Sequence, residues 1–292
     1  MVADLHCHTK LSDGSVGIED LIMIAKKSGI ETIAITDHDC LAGSVRGKII
    51  GERQGVNVIP GVELSAYDFE NDKKVHILCY LPDSPDRLEG LCKRTTLARK
   101  RAGQIMALKV AARFPVSSEF ILKQAAGSTN IFKQHIMHAL LDAGYTTTIF
   151  GDLFKALFDP SSPTNINCKV KYPDVHEVIE AVHDAGGIAV LAHPGVYDNF
   201  SIIDDLVQSG LDGIEVWHPG HDEMKTDKAF MAAKKYKLLM TGGSDFHGMY
   251  NSRHVTLGTC ATPKEHLDKL LTYKSRKKRA QRRAEKAAEN KM

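Results

Sequence analysis

Short apolar runs alternate along most of the chain with segments in which apolar residues recur every three or four positions. The runs have the usual length of buried strands, and the segments between them follow helical periodicity, as in the stripe from Val175 to Val182. The predicted strands are Val2–His6, Glu31–Thr36, Val56–Glu63, Lys74–Leu81, Ile188–Ala192, Gly213–Trp217 and Leu238–Thr241. Repeated strand–helix units favour a parallel α/β architecture, and 292 residues suffice for one barrel.

Residues 84–168 interrupt this alternation. Helical patterns at Leu91–Ala112 and Ile131–Ala143 follow one another there without a convincing parallel strand. We therefore predict a barrel formed by residues 1–83 and 169–272, with residues 84–168 inserted at its catalytic face as a helical cap. The helix that opens at Thr262-Pro263 loses its apolar face after Leu271, so residues 273–292 are predicted to be a basic, solvated tail.

Histidines and carboxylates lie at the downstream ends of the predicted strands. Side chains two apart in a strand point to the same side, so His6 and His8 can reach one metal ion. The candidate metal ligands are His6, His8, Asp13, His38, Glu63, His76, His193, Asp245 and His247. This set exceeds what one ion can use, so we expect two or three divalent ions. Mixed imidazole and carboxylate ligands suit Mn, Zn or Fe.

Such a ligand set predicts a hydrolase. Bound metal lowers the pKa of water from about 16 toward 7, so a hydroxide held between ions would be a nucleophile at neutral pH. Two ions roughly 3.5–4 Å apart can also clamp the attacking and leaving oxygens of a phosphoryl transfer. Glu63 is the candidate bridge between ions. Asp37 and His218 are both candidates for handling the leaving-group proton, and the sequence leaves this choice open.

The net charge of +2 conceals an asymmetry between the two parts of the chain. Residues 274–292 hold nine Lys or Arg against two Glu, so this tail carries +7 and the remainder −5. The tail has no aromatic residue beyond Tyr273, so it lacks a base-stacking platform. Nucleic-acid contact is therefore the weaker alternative to simple solvation.

The cellular compartment and the absence of membrane contacts are predicted from the cysteine spacing and the hydrophobic pattern. The six cysteines show no Cys-x-x-Cys pairing, which favours reduced thiols over a disulfide framework. No run approaches the roughly 18 apolar residues of a membrane span, and no signal-peptide pattern opens the chain. We expect a cytoplasmic protein that has no membrane partner.

The order of the motifs resembles that of the polymerase and histidinol phosphatase (PHP) superfamily. It runs Asp-x-His-x-His, Ser-Asp-Gly, Thr-Asp-His-Asp, Pro-Gly-x-Glu, Val-His, Ala-His-Pro and Ser-Asp-x-His, and the resemblance extends to about residue 272. It implies a distorted, TIM-like (β/α)7 barrel with a trinuclear metal centre. The implied ligand sets are His6, His8, Glu63 and Asp245 for one ion, Glu63, His76 and His193 for the second, and Asp13, His38 and His247 for the third.

Within the superfamily the chain looks most like bacterial phosphatases of nucleoside 3′,5′-bisphosphates, some of which also trim RNA 5′ ends or hydrolyse AMP. The implied substrate-binding residues are Arg101, Lys133, His135 and His221. The subgroup's Arg-x-His is replaced here by Lys133-Gln134-His135, and Lys lacks the bidentate fork of Arg.

The function predicted from these features is metal-dependent hydrolysis of a phosphate monoester of a nucleotide, with a small phosphorylated molecule as substrate. The departure from Arg-x-His puts the preferred substrate in question but leaves the reaction class intact. Two alternatives remain open: an RNA 5′-end exonuclease, and a phosphatase of a small non-nucleotide ester such as histidinol phosphate. The sequence does not decide the oligomeric state.

Overall fold

A computed structural model describes residues 3–289, without the side chains of residues 281 and 284–289. Its strands are β1 (Ala3–Cys7), β2 (Thr32–Ile35), β3 (Asn57–Asp68), β4 (Lys73–Tyr80), β5 (Ile188–Leu191), β6 (Gly213–Trp217) and β7 (Leu239–Gly242). They form one sheet in the order β1 to β7. Each predicted strand is present with ends shifted by a few residues; Val2 lies outside the described residues.

The helices of the described residues pack around this sheet and above it. They are α1 (Ile18–Lys27), α2 (Ala42–Gln54), α3 (Glu89–Ala111), α4 (Ser118–Gln124), α5 (Lys133–Asp142), α6 (Asp152–Phe158), α7 (Val175–Asp184), α8 (Ile203–Gln208), α9 (Glu223–Lys235) and α10 (Lys264–Glu289). In α1 the buried residues are Ile18, Leu21, Ile22 and Ala25, one face at helical spacing. None of the described helices combines the length and apolarity that a bilayer crossing requires.

Strand β4 departs from the predicted parallel arrangement. It pairs antiparallel with both β3 and β5, whereas the other neighbouring strands are parallel. The cause is local, because a short turn joins β3 to β4, and parallel strands need a longer crossover. Asp68 fixes this turn by accepting hydrogen bonds from the backbone N–H groups of Glu70 and Asn71 at 3.0 and 3.1 Å. His76 therefore lies in the first half of its strand, and the prediction that it ends a strand is wrong.

The sheet curls into a nearly closed barrel where β1 meets the segment after β7. The backbone N–H of Phe246 donates to the carbonyl of His6 at 3.3 Å, and the N–H of His8 donates to the carbonyl of Phe246 at 2.9 Å. Gly243 permits this approach, since a Cβ there would lie 2.3 Å from the Cβ of His6. The closure brings the ends of β1 and β7 side by side.

The segment 84–168 contains helices α3 to α6, which enclose a second apolar core that includes Val110, Ile121, Ile136 and Leu140. The chain does not leave the barrel at the catalytic face as predicted. Because β4 is reversed, the chain leaves at the opposite face, where Ser84 N–H donates to the carbonyl of Ala185 just before β5. Helix α3, 23 residues and about 34 Å long, then carries the chain back to the mouth.

Helix α10 continues well beyond the point where its apolar face ends. Its basic part begins by docking on the face of the barrel opposite the mouth. Tyr273 donates to Asp212 at 2.6 Å, Lys277 approaches the same carboxylate at 3.2 Å, and Lys274 binds Asp83 at 2.8 Å. The first turn of the predicted tail is thus attached to the barrel, while residues 290–292 lie outside the described residues.

Candidate metal centre and substrate pocket

Glu63 lies at the hub of a buried histidine cluster at the barrel mouth. Its carboxylate approaches five imidazoles: His6 at 3.4 Å, His8 at 3.3 Å, His38 at 3.1 Å, His76 at 2.5 Å and His193 at 2.9 Å. These imidazoles come from four different segments of the barrel, since His6 and His8 share one. Burial raises the pKa of Glu63, but the imidazoles, His38 first among them, outweigh it and hold this pKa well below its ordinary value.

Two further carboxylates complete the cluster. Asp245 lies 3.1 Å from His8 and 3.4 Å from His6, and Asp13 lies 3.2 Å from His247. Four overlapping groups can each hold an ion: His8, Asp13, His38 and His247; His6, Glu63 and His193; His6, His8 and Asp245; and His38, Glu63 and His76. The structure therefore brings all nine predicted ligands into one cluster.

Unpartnered buried atoms test whether this cluster fits metal ions. Six ligand atoms have no hydrogen-bond partner in the part of the chain that the structure describes: His6 Nε2, His8 Nε2, Asp13 Oδ1, His38 Nδ1, His76 Nε2 and His193 Nδ1. Buried polar atoms are normally paired, so six orphans in one cluster require an explanation. At His6, His8 and His38 the ring nitrogens approach carboxylate oxygens without hydrogen-bond geometry, as ligands that share an ion would. The residues present fit divalent ions.

Outer partners orient several of these histidines. Buried Glu215 lies 2.9 Å from His6 Nδ1, and its other oxygen accepts the backbone N–H of His193 at 2.8 Å. His247 Nδ1 lies 2.8 Å from the carbonyl of Asp245. Such contacts fix the ring tautomer and leave Nε2 for the cluster. Glu215 is not among the site residues predicted from the sequence, although a carboxylate in the middle of the buried strand β6 could have indicated one.

Two of the ligands have a left-handed backbone conformation, which sets the direction of their side chains. His193 and Asp245, which follow β5 and β7, have φ values of 26° and 49°. Residues other than glycine seldom adopt such values, which cost about 1–3 kcal/mol each and persist where the surrounding structure enforces them. The sharp turn directs both side chains into the mouth instead of along the strand direction.

Asp37 does not lie where its predicted role in proton transfer requires. It is fully buried, and it accepts from Thr9 N–H at 2.8 Å, Thr9 Oγ1 at 2.7 Å and Ser12 Oγ at 2.6 Å. Its carboxylate thus holds the loop between His8 and Asp13. It does not line the cavity that opens above the cluster. We correct its role to the positioning of that loop.

His218 also lies beside the cluster and outside the cavity. Its Nδ1 accepts the backbone N–H of Gly220 at 2.9 Å, so its Nε2 carries the proton and faces Asp245 Oδ2 at 3.4 Å. The ring is buried and does not line the pocket. This geometry fits a residue that orients Asp245.

A cavity of about 750 Å³ opens directly above the cluster, between the barrel and helices α3 and α5. Five cations line it beside the predicted ligands: Lys74, Arg99, Lys133, Lys169 and Lys171. Arg99 is held by a 3.4 Å contact with Asp39 and by a hydrogen bond to Ser65. Its guanidinium stacks 5.3 Å from the rings of both Phe132 and Tyr172. The cavity thus places fixed positive charge next to the metal ligands.

The structure places Arg99, and not the predicted Arg101, in the wall of the cavity. Arg101 is exposed and does not line the cavity. Two residues apart on a helix are about 200° apart around its axis, so only one of the two can face the pocket. Lys133 does line the cavity, at the first turn of α5, and its ammonium lies 5.3 Å from the ring of Phe158.

His135 and His221, which are predicted to bind substrate, do not line the cavity. They make structural hydrogen bonds instead. His135 Nδ1 accepts the backbone N–H of Phe132 at 3.2 Å and so closes the first turn of α5, and burial lowers its pKa to about 4. His221 Nδ1 lies 2.9 Å from the carbonyl of Val216, and its Nε2 accepts the N–H of Gly195 at 3.0 Å. Both nitrogens of His221 are occupied, and the ring supports the turn after His193.

Comparison with known proteins identifies relatives that span most of the chain. The family described as the PHP domain matches residues 4–187. A phosphoribosyl 1,2-cyclic phosphate 1,2-diphosphodiesterase from Eggerthella lenta is 38% identical over 86% of this chain and 95% of its own. A 5′-3′ exoribonuclease from Haemophilus influenzae is 30% identical over 84% and 89%. A 3′,5′-nucleoside bisphosphate phosphatase from Chromobacterium violaceum is 27% identical over 84% and 86%.

A solved structure shares the fold over nearly the whole length. It is a protein from Bifidobacterium adolescentis assigned as a metal-dependent phosphoesterase. It superposes with a TM-score of 0.82 at 32% sequence identity, and the match covers 92% of this chain and 95% of that protein. The barrel and the helices above it therefore recur together in a relative.

Proposed function

Because this chain belongs to the PHP domain family and is a metal-dependent phosphoesterase, we propose that it hydrolyses a phosphate ester of a ribose that carries a second phosphate group. One observation carries the proposal: a single cavity is lined both by members of the ligand cluster and by five cations that the cluster does not need. The reacting ester would lie on the cluster, and the second phosphate would lie against Lys74, Arg99 and Lys133.

We propose that the cluster holds two to three divalent ions, with Mn, Zn or Fe as candidates. The ligands would come from four overlapping groups: Glu63 with His6 and His193, Glu63 with His38 and His76, Asp245 with His6 and His8, and Asp13 with His8, His38 and His247. When bound, such ions supply Lewis-acid chemistry that neutralises charge on phosphoryl oxygens and acidifies water. The protein contributes rigid placement, since every predicted ligand except the partly exposed Asp245 is buried, and partners such as Glu215 orient the rings.

The cations of the cavity would orient the substrate. Arg99 is pre-organised by Asp39, Ser65 and two aromatic rings, so little side-chain entropy remains to be lost when it binds a phosphate. Lys74 donates to Tyr197 at 3.0 Å and lies in the same wall. A phosphate bound by these cations would leave the ester on the other side of the ribose free to lie on the ligand cluster, because both line the same cavity.

Two substrate types share this chemistry. A nucleoside 3′,5′-bisphosphate and a phosphoribosyl 1,2-cyclic phosphate both contain a ribose with one phosphate outside the reacting ester. The first type matches the function predicted from the motifs. The second is favoured by the relative at 38% identity, whose name specifies the cyclic substrate. We therefore keep the cyclic diester as the second candidate.

The test is a hydrolysis panel on the full chain loaded with manganese. It compares a nucleoside 3′,5′-bisphosphate, phosphoribosyl 1,2-cyclic phosphate, AMP, histidinol phosphate and an aryl phosphate, with metal content measured on the same sample. We expect two to three equivalents of metal and the highest kcat/KM on one of the two ribose compounds with two phosphates. Less than about one equivalent, or a preference for the aryl or histidinol ester, would contradict the proposal.

Lys133 should give substrate binding a pH dependence. Burial, with a smaller contribution from Lys74, lowers the pKa of its ammonium from 10.5 to about 8. The charged form is disfavoured in the folded protein and is lost as the pH rises through about 8. We therefore expect KM for a bisphosphate to rise above about pH 8, while KM for an aryl phosphate stays level.

The control for this pH dependence is Lys133→Arg, because Arg stays charged throughout the range. Measured from pH 6.5 to 9.5, the KM of this variant for the bisphosphate should stay nearly constant. If the alkaline rise persists in Lys133→Arg, another group causes it.

The basic part of α10 should not contribute to catalysis. It starts on the face of the barrel opposite the cavity, where Lys274 and Lys277 contact Asp83 and Asp212. Deleting residues 278–292 preserves these contacts and should leave kcat/KM on small substrates within about twofold of wild type. An RNA-recruiting tail would instead show a salt-dependent oligonucleotide affinity that disappears on deletion, since each neutralised phosphate contributes nearly one unit of slope. Filter binding between 50 and 200 mM salt distinguishes the two.

A further inference from the structure

Helix α5 and the segment before it contact the loop that follows β1. Thr129 N–H donates to the carbonyl of Leu11 at 2.9 Å, and Ser128 Oγ donates to the carbonyl of Ser12. At the start of α5, Gln134 Nε2 donates to Asp13 Oδ2 at 3.0 Å. Three hydrogen bonds in succession thus join the inserted segment to the loop that carries a predicted metal ligand.

The two oxygens of Asp13 have different surroundings. Oδ2 accepts a hydrogen bond from the amide of Gln134 and lies 3.9 Å from His38, whereas Oδ1 lies 3.2 Å from His247 and 3.6 Å from His8 and has no hydrogen-bond partner among the described residues. One oxygen is therefore anchored from outside the barrel, and the other remains available on the side of the histidines. This is the arrangement that an outer partner produces around a coordinating carboxylate.

The chemistry of Gln134 suits this position. Its amide donates a hydrogen bond without bringing charge, so it holds Asp13 without neutralising it. Lys or Arg in its place would form an ion pair with the carboxylate and compete with a cation. Gln134 also lines the cavity, next to Lys133. The same first turn of α5 therefore faces both the substrate space and a metal ligand.

We propose that Gln134 is a positioning residue for Asp13, and that a divalent ion bound by Asp13, His38 and His247 and the docking of α5 on the barrel stabilise each other. This proposal rests on the proposed function insofar as that function assigns these three residues to a metal ion. The coupling is reciprocal by linkage: if docking raises the affinity for the ion, the ion strengthens docking by the same factor.

The experiment measures binding of manganese alone to the full chain by calorimetry, without substrate. Gln134→Ala removes the contact, and Gln134→Met keeps the length of the side chain but lacks the donor. We expect both to weaken one class of manganese site by about ten- to a hundredfold, the usual cost of losing an outer partner of a ligand. The matched control is Gln124→Ala, since Gln124 donates to Asp142 at 2.7 Å within the insertion and away from the cluster.

Hydrogen exchange provides the second readout. In wild type, manganese should slow amide exchange across residues 133–142, and this slowing should disappear in both Gln134 variants but persist in Gln124→Ala. Wild-type manganese affinity in both Gln134 variants, or no response of α5 exchange to manganese in wild type, would overturn the proposal while the proposed function stands. If the wild-type chain binds no manganese, the proposed function fails together with this inference.

Discussion

Replacing Glu63 by Gln should lower kcat/KM for the preferred phosphate ester by more than about a hundredfold, the upper end of what loss of an outer partner costs. The carboxylate approaches five imidazoles, and it belongs to two of the four groups that can hold an ion. An amide keeps the size of the side chain but loses its negative charge. Bound manganese should fall with activity, and both are measured on the same sample.

Asp13→Ala is the comparison for this variant. Asp13 belongs to a single candidate group, with His8, His38 and His247, so its loss should leave the remaining sites filled. We expect a smaller loss of activity than in Glu63→Gln and the loss of about one equivalent of metal. Equal damage in the two variants would show that Glu63 does not link the sites.

Arg99→Ala should reduce kcat/KM about ten- to a hundredfold for a substrate with two phosphates, since one charge-assisted contact contributes about 1.5–3 kcal/mol. Turnover of an aryl phosphate, which lacks the second group, should change little. Arg99→Lys should recover part of the loss, because it keeps the charge but not the bidentate fork. Initial rates on both substrates, for each variant, provide the measurement.

Arg101→Ala is the matched control, because it removes the same side chain from the same helix at an exposed position. It should leave both substrates unaffected. Equal losses on the two substrates in Arg99→Ala, with normal kinetics in Arg101→Ala, would assign Arg99 to folding through Asp39 and Ser65. Loss of activity in Arg101→Ala would contradict the assignment of the pocket.

The sequence predicts which side chains gather at the barrel mouth, because strand geometry restricts the directions in which they can point. Alternating side chains put His6 and His8 on one side, and the ends of neighbouring parallel strands share one edge of the sheet. The resemblance to the PHP superfamily, drawn from the order of the motifs, is confirmed by the family match over residues 4–187. His76 reaches the same mouth from a reversed strand, which periodicity alone does not indicate.

The residues around the cluster could not be predicted in the same way. Whether Arg99 or Arg101 faces the cavity depends on the rotation of α3, and its basic run Arg99-Lys100-Arg101 gives no apolar period to fix that rotation. Asp37 is adjacent to a ligand in sequence, yet Thr9 and Ser12 saturate its carboxylate. Such assignments depend on contacts between residues far apart in the chain, and only the folded structure supplies these.

The reversed strand β4 also affects the chain entropy of assembling the centre. Glu63 and His76 face each other across one hairpin, only 13 positions apart, whereas Glu63 and His193 are 130 positions apart. Loop-closure entropy grows as the logarithm of this separation, so the hairpin contact forms at a cost about 2 kcal/mol lower. The contact between Glu63 and His76 is therefore local in sequence. It can form while the rest of the barrel is still unfolded.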